Sequence, residues 1–291
     1  MPGVVPGLAA LTSMLAPDDQ IMLFTPAYYP LLQIPEKYNR QRVDVPLVYE
    51  DNRWIIDFDL FEKSINKHCR MLFLCSPHNP VGTMFSADEL TRIVEICSAH
   101  KILVVSDEIH CDLVLDQNKT HITTGRVAGN MQSNIVTLMS PSKTFNLAGA
   151  NCSFAVIPDA QYRQSYRDKC MFTLPIVPTL SYTAAEAAYQ YGQDWHSQLI
   201  AYLRNNLQTL RKEIDQLPFL SMDNPEATYL AWIRTADLPV EDPNDFFVNA
   251  GVGLSPGAHF GDADYQRLNF ACSHTQLLEG LDRIKRAVTS L

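Results

Sequence analysis

The alternation of apolar and polar positions along the first two thirds of the chain predicts strands alternating with helices. Five short apolar or β-branched runs, bounded by polar or turn residues, have the character of buried strands: residues 20–25, 71–76, 103–107, 135–140 and 152–158. Residues 57–66 and 86–100 have helical periodicity, and Ser86 and Glu89 have the spacing of a capping box. Strands buried on both faces that alternate with helices predict an α/β fold, a mostly parallel sheet with helices on both faces.

The pattern changes from about Thr179 onward. A long helical stretch, residues 180–216, precedes a strand at 228–235, a helix near 245–250, a strand at 267–272 and a final helix at 275–290. We therefore predict two domains. Residues 1–190 form the large domain, and residues 191–291 form a smaller C-terminal α+β domain.

Composition and charge narrow the class of ligand. The chain is 46% hydrophobic and 19% charged, which is ordinary globular composition, and its net charge of −9 disfavours nucleic acid, whose phosphates require clustered cations. We therefore expect a small-molecule ligand.

No apolar run approaches the ~20 residues of a membrane span, and the N-terminus lacks a secretory-signal pattern, so we expect a cytoplasmic protein. Seven dispersed cysteines without a C-x-x-C motif predict reduced thiols rather than disulfides or a zinc site.

Three polar clusters lie where predicted strands end, at residues 76–82, 107–110 and 140–143. Ligands of open α/β sheets bind at the carboxyl ends of the strands. The sequence therefore predicts that the three clusters converge on one binding site.

The segment Ser140-Pro141-Ser142-Lys143 places a lysine just after a buried strand. Such a position is unusual, because an ammonium group in the interior is costly unless it is paired or neutralised. One use for this lysine is Schiff-base formation with an aldehyde cofactor, with a lowered pKa keeping the amine nucleophilic. The hydroxyls of Ser140 and Ser142 suit a phosphate beside it. On its own, the segment also fits a lysine in a surface loop.

Asp107 and His110 follow the apolar run that ends the third predicted strand. A carboxylate at this strand end can pair with a protonated pyridine nitrogen, which keeps a cofactor ring electron-withdrawing. A helix cap or a structural ion pair is the alternative for Asp107. His110 lies one helical turn further on and can hydrogen-bond a ring oxygen, or it can be a structural histidine.

Five further residues complete the candidate set. Asn79 lies in a turn made rigid by prolines, and Tyr28 follows a strand, where it can stack on a planar ring or pack in the core. The glycine-flanked segment with Val4 and Val5 leads into an apolar helix whose free amides suit a phosphate. Arg267 begins an apolar strand, where its guanidinium can bind a carboxylate in bidentate fashion or make a surface salt bridge.

Taken together and in this order, the motifs resemble a known family. Gly-Val-Val-Pro, Ser-Asp-Glu-Ile-His, Ser-Pro-Ser-Lys-Thr-Phe-Asn and Arg-Leu-Asn-Phe-Ala are similar to those of fold-type-I pyridoxal 5'-phosphate (PLP) enzymes of the aspartate aminotransferase class, MalY/PatB branch of cystathionine β-lyase-like C–S lyases. The resemblance covers essentially the whole chain. It implies a PLP-dependent transferase-like fold, an amino-acid substrate and a homodimer.

The resemblance implies a role for each candidate residue. The implied roles are Lys143 as catalytic residue and Schiff-base lysine, Asp107 at the pyridine nitrogen, Asn79 and His110 at the phenolic oxygen, Tyr28 stacked on the ring, Ser140, Ser142 and the amides of Val4 and Val5 on the phosphate, and Arg267 on the substrate α-carboxylate.

The chain departs from the family pattern in two places. Many aminotransferases have a phosphate-binding arginine shortly after the lysine, whereas Ala148, Gly149, Ala150 and Asn151 occupy that stretch here. The chain also begins at the Gly-Val-Val-Pro motif, so it lacks the N-terminal segment that in the family contributes to the small domain, the substrate pocket and the partner's active site. We expect exposed apolar surface where such a segment packs.

Three activities remain open from the sequence. The first is β-elimination of a thiol from a cystathionine- or cysteine-type amino acid, with pyruvate and ammonia as the other products. The second is transamination, which uses the same residues. The third is a non-catalytic or regulatory role.

Overall fold

The computed structural model describes residues 1–291 and contains eleven strands and ten α-helices. The strands are β1 Gln20–Thr25, β2 Gln41–Glu50, β3 Arg53–Ile56, β4 Cys69–Cys75, β5 Leu103–Asp107, β6 Ile135–Met139, β7 Phe154–Val156, β8 Ser221–Met222, β9 Leu230–Arg234, β10 Ser255–Pro256 and β11 Tyr265–Asn269. The helices are α1 Val4–Thr12, α2 Tyr29–Lys37, α3 Phe58–Ser64, α4 Ala87–Ala99, α5 Thr124–Val127, α6 Ala160–Thr173, α7 Thr179–Tyr191, α8 Gln193–Ile214, α9 Pro243–Asn249 and α10 His274–Thr289.

The larger sheet has seven strands in the order β3-β2-β1-β4-β5-β6-β7. Its five central strands, from β2 to β6, are parallel to one another, and the edge strands β3 and β7 pair antiparallel with β2 and β6. This arrangement confirms the predicted α/β fold with a mostly parallel sheet.

The central strands are buried on both faces because helices cover each side. In β1, Met22 and Phe24 belong to one apolar cluster while Ile21 and Leu23 belong to another. Helix α4 packs into the first cluster and helix α1 into the second. Helix α4 begins with the predicted capping box, in which Ser86 and Glu89 bond each other's backbone amides. In sheets of this kind, ligands bind at the carboxyl ends of the strands.

A second, antiparallel sheet follows in the last third of the chain, with the order β10-β11-β9-β8. Helices α8 and α10 pack against it and share one apolar cluster with it, in which Leu210, Ile233 and Leu281 are buried. Leu113 and Leu115, from the first part of the chain, join the same cluster. This apolar cluster thus includes residues from both sides of position 190. The division into residues 1–190 and 191–291 remains our proposal for the domain boundary.

The single long helix predicted for residues 180–216 was wrong, because the structure has two helices, α7 and α8, that meet at Gly192. The backbone of Gly192 lies directly against the ring of Phe145. A Cβ at this position would lie 2.3 Å from the carbonyl oxygen of Ala188 and 2.5 Å from Phe145 Cε1. The close approach requires glycine here.

No helix combines the length and apolar character that a membrane crossing requires. All seven cysteines carry free thiols.

Candidate active site

A cavity of about 380 Å³ opens at the carboxyl ends of the central parallel strands. Eight of the ten candidate residues line it: Val4, Val5, Tyr28, Asn79, Asp107, His110, Ser140 and Ser142. Lys143 and Arg267 are not part of the lining. Both lie close enough that their charges affect the pKa values of residues in the cavity wall.

The order of strands in the sheet explains why these residues meet. Tyr28 follows β1, Asn79 follows β4, Asp107 ends β5 and Ser140 follows β6. These four strands are consecutive neighbours in the sheet. The structure thus brings the three polar clusters of the sequence together at one edge, as predicted.

Asp107 is a buried carboxylate with unused hydrogen-bonding capacity. Its Oδ1 accepts a hydrogen bond from the amide of Ile109 over 3.2 Å, Oδ2 accepts none, and no cationic side chain lies within 4 Å. Burial raises its pKa to about 7, and the neighbouring Glu108 charge adds to the rise, while the Ile109 amide and Lys143 oppose it. The structural contact of this segment is made by Glu108, whose Oε2 lies 2.8 Å from His121 Nε2. Asp107 is therefore available to pair with a cationic group of a ligand.

His110 is buried and neutral. Burial, followed by the charges of Lys143 and Arg267, lowers its pKa to about 3. Its Nδ1 has no hydrogen-bond partner although it is buried. A buried nitrogen without a partner is costly, so His110 has unused hydrogen-bonding capacity in the cavity wall.

Lys143 forms no ion pair within 4 Å. Burial and the charge of Arg267 lower its pKa, and the charge of Asp107 opposes this effect. A lowered pKa increases the fraction of neutral amine, which is the nucleophilic and basic form. The environment of Lys143 thus suits both covalent attachment of an aldehyde and proton transfer.

The N-terminus of α1 forms part of the cavity wall. Gly3 caps the helix without a side-chain hydrogen bond, so the first amides of the helix lack intrahelical partners. These amides and the helix dipole favour an anion such as phosphate. The hydroxyl of Ser142, which also lines this cavity, makes no hydrogen bond within the chain.

Ser140 has a different environment from Ser142. Its hydroxyl donates to the carbonyl oxygen of Cys152 over 2.7 Å and accepts from the amide of Ser142 over 3.1 Å. A hydroxyl has one proton, and Ser140 donates it to Cys152. The Ser140 side chain therefore stabilises the loop that carries Lys143. Its predicted contact with phosphate would require the hydroxyl to turn away from Cys152.

Arg267 carries a largely buried charge with no carboxylate partner. Its Nη1 donates to Asn79 Oδ1 over 3.0 Å, and Nε has no partner. The guanidinium carbon lies 4.5 Å from the ring centroid of Phe260. Burial lowers the pKa of Arg267. The surface salt bridge considered from the sequence is absent, so the guanidinium is free to bind an anionic group.

Sequence reasoning missed several residues of the cavity wall. Cys75 is buried there, and the strand register places it beside Asp107. Its position directly before the polar cluster 76–82 is a signal that could have identified it. Ala148 and Asn151, from the stretch that lacks the expected arginine, also line the cavity. The remaining lining residues are Pro2, Gly3, Pro6, Ile109 and Cys152.

Comparisons with known proteins agree with this fold and site. The family model for aminotransferase class I and II matches residues 1–284, and the chain belongs to this family. Within it, the chain is 34% identical to cystathionine beta-lyase PatB of Bacillus subtilis (strain 168) over 297 residues, covering 99% of the chain and 76% of PatB. This similarity confirms the resemblance to the MalY/PatB branch.

Two solved structures superpose on nearly the whole chain. The crystal structure of OvoB has 39% sequence identity and a TM-score of 0.97, covering 100% of this chain and 77% of OvoB. A PLP-bound putative aminotransferase from Clostridium difficile 630 has 34% identity and a TM-score of 0.94, covering 99% of this chain and 76% of that one.

The cavity fits the cofactor of this family, PLP. PLP has a pyridine nitrogen, a phenolic oxygen, a phosphate and an aldehyde. The corresponding groups of the chain are the unpartnered Oδ2 of Asp107, the unpartnered Nδ1 of His110, the free amides of α1 and the amine of Lys143. The chain therefore offers a complementary group for each polar part of the cofactor.

Proposed function

We propose that the chain is a PLP-dependent carbon–sulfur β-lyase of the cystathionine β-lyase type. It cleaves cystathionine- or cysteine-type amino acids to pyruvate, ammonia and a thiol. The observation that carries this choice is the 34% identity to a cystathionine β-lyase over 99% of the chain. The cavity residues support amino-acid chemistry on PLP in general, and the likeness to PatB supports elimination.

In this proposal each cavity residue binds one part of the cofactor. Asp107 holds a proton at the pyridine nitrogen, and Tyr28 stacks on the ring. Asn79 and His110 bond the phenolic oxygen. The phosphate lies at the α1 amides of Val4 and Val5 and at the hydroxyls of Ser142 and Ser140, and Lys143 attaches the cofactor covalently. The convergence of eight of these residues on one cavity supports the assignment.

The substrate is bound by its α-carboxylate at Arg267. No acidic side chain competes for this guanidinium, so a carboxylate gains charge-assisted hydrogen bonds there. Arg267 also lies close enough to Lys143 to influence its pKa. The amino acid is thereby held with its Cα within reach of the lysine amine.

Bound PLP supplies an electron sink that stabilises negative charge at the substrate Cα. The substrate amine would replace Lys143 at the cofactor, and the released Lys143 Nζ would then remove the Cα proton as general base, a role that its lowered pKa favours. Asp107, in its ionised form, keeps the pyridine nitrogen protonated. The thiolate then leaves from Cβ, which distinguishes the lyase from an aminotransferase.

The proposal is tested with protein loaded with PLP. We expect pyruvate and a thiol from L-cystathionine or L-cystine without any added keto acid. Lys143→Ala should abolish this activity, the visible absorbance of the bound cofactor and borohydride trapping at this position. Lys67→Ala, at an exposed lysine, is the matched control and should match the wild type in all three.

Two outcomes would contradict the proposal. A strict requirement for a keto acid would identify an aminotransferase. Correctly bound PLP without turnover of any amino acid would favour a regulatory role.

We also propose that the chain acts as a homodimer. Four large apolar side chains within ten residues are strongly exposed: Met171 (72%), Phe172 (86%), Ile176 (92%) and Leu180 (81%). Apolar groups concentrated in this way mark an interaction surface. A second copy of the chain is the occupant that the family resemblance implies. The cytoplasmic location remains a prediction from the sequence.

A further inference from the structure

Arg267 has an unusual set of contacts for a buried cation. A buried guanidinium normally gains a carboxylate, because an isolated charge is costly to desolvate. Arg267 has one side-chain hydrogen bond, to Asn79, and no carboxylate within 4 Å. Something other than an acid must therefore hold its orientation.

The guanidinium carbon of Arg267 lies over the ring of Phe260. The distance from the guanidinium carbon to the ring centroid is 4.5 Å, which is within the range of a cation–π interaction. Phe260 is fully buried, and its ring packs edge-on against Trp232 with 5.5 Å between centroids. Trp232, the cross-strand partner of Arg267, thus also contacts the Phe260 ring.

The backbone around Phe260 is equally constrained. Phe260 ends a short 3-10 turn that begins at Gly257, where a Cβ would lie 2.1 Å from the carbonyl oxygen of Asp262. Gly261, which follows, has φ of +93°, a conformation that favours glycine. These two glycines define the turn that presents the Phe260 ring to Arg267.

The same residue contacts the loop that carries the proposed stacking tyrosine. The carbonyl oxygen of Phe260 accepts a hydrogen bond from the amide of Ala27 over 2.9 Å, and Tyr28 is the next residue. Phe260 therefore connects the position of Arg267 with the position of Tyr28. This bond joins the turn before β11 to the loop after β1.

We propose that Phe260 is a positioning residue that orients Arg267 for the substrate α-carboxylate. The inference rests on the proposed function, in which Arg267 binds that carboxylate. A ring on the face of a guanidinium stabilises the cation while leaving the in-plane N–H donors free. An acidic side chain in the same place would occupy those donors and compete with the substrate. Phe260 thus lowers the cost of burying Arg267 without blocking its function.

The test compares Phe260→Met, which keeps bulk but loses the ring, with Phe260→Tyr, which keeps the ring. Phe247→Met is the matched control, because Phe247 is equally buried but lies in α9 within the core of the smaller sheet. Binding of L-alanine, an amino acid without a leaving group at Cβ, to the PLP-loaded proteins is followed by absorbance. Binding of ethylamine, the same molecule without its carboxylate, is measured in parallel.

We expect Phe260→Met to weaken amino-acid binding by about 3- to 30-fold, the range of one buried cation–π contact. Binding of the amine should change less than twofold, and kcat for pyruvate formation should stay near that of the wild type. Phe260→Tyr should restore amino-acid affinity. Phe247→Met should lower the melting temperature and leave both affinities unchanged.

The inference is overturned if Phe260→Met weakens amine and amino acid equally, because its role would then be structural. It is also overturned if the wild type binds the amino acid no more tightly than the amine, because Arg267 would then hold no carboxylate. These readouts do not depend on pyruvate formation. Failure of the lyase activity is therefore distinguishable from failure of the Phe260 inference.

Discussion

Arg267 Nη1 donates a hydrogen bond to Asn79 Oδ1 over 3.0 Å. The bond joins strand β11 of the smaller sheet to the loop after β4 of the larger one. Since the amide oxygen faces Arg267, the amide nitrogen of Asn79 is left to donate into the cavity. One side chain thus links the proposed substrate-binding residue to the proposed cofactor-binding wall.

This link predicts different effects for two substitutions of Asn79. Asn79→Asp places a carboxylate against the unpaired guanidinium of Arg267, so the melting temperature should rise. The new ion pair competes with the substrate carboxylate, and KM should increase on the order of 10- to 100-fold. Asn79→Ala removes the acceptor without adding charge, so its KM should increase less. Equal increases for both variants, measured by steady-state kinetics, would argue against competition at Arg267.

Asp107→Asn should stabilise the cofactor-free protein at alkaline pH. The pKa of Asp107 is raised from 3.8 to about 7 in the folded state, mainly by burial. The protein with Asp107 protonated is fully stable below about pH 4. Its free energy of unfolding falls as the pH rises to about 7, because the folded state then has to bury a charged carboxylate. Asparagine undergoes no such loss. The gain in melting temperature over the wild type should therefore be larger at pH 8 than at pH 5.

The same variant should impair catalysis. Neutral asparagine cannot stabilise a cationic pyridine nitrogen, and we expect kcat to fall roughly 100- to 1000-fold, as when a positioned electrostatic group is removed. Asp59→Asn, at an exposed carboxylate, should affect neither property. A stability gain that is independent of pH would show that burial of the Asp107 charge is not its cause.

The parts of the fold that the sequence predicted have strong periodicity. Strands β1 and β5 have the predicted bounds, because both are continuous apolar runs between polar residues. Helix α2 was not predicted, since it contains Pro35 in its interior. Strand β2 buries only Val45 and Leu47 and is otherwise largely exposed, and α6 buries only Tyr166, so neither element was predicted.

The sequence was enough to predict which residues belong to the candidate site, but not which contacts those residues make. Positions at strand ends, such as Asp107, follow from the order of strands and the rule for parallel sheets. The hydrogen bond from Ser140 to the carbonyl oxygen of Cys152 depends on how the lysine loop folds back over twelve residues. The ring of Phe260 reaches Arg267 because of a turn fixed by two glycines. Such contacts depend on backbone geometry that periodicity does not encode.

Glu226 should contribute to stability more than a surface carboxylate does. Its Oε2 accepts from the amide of Met84 over 2.7 Å, and its Oε1 accepts from Lys119 and lies 3.3 Å from Arg53 Nε. Glu226→Gln keeps the shape but directs an NH2 group at one of these donors. We expect a loss of about 1–3 kcal/mol in the free energy of unfolding, measured with urea.

Glu62→Gln is the control for this prediction. Glu62 pairs with Arg92 at 3.6 Å, but its side chain is 51% exposed. An exposed pair of this kind contributes at most about 1 kcal/mol. If both variants lose the same stability, the partly buried position of Glu226 has no special effect.

The exposed apolar surface at 171–180 predicts the effect of polar substitutions on assembly. Phe172 and Ile176 are 86% and 92% exposed in the isolated chain, so replacing both with serine removes few contacts within the protomer. In a dimer that buries them, the double variant loses apolar burial at the interface. We expect sedimentation to show a dimeric wild type and a monomeric variant. Val248→Ser, at an exposed apolar position on α9, is the control and should leave the dimer intact. If the double variant at Phe172 and Ile176 stays dimeric, the interface lies elsewhere.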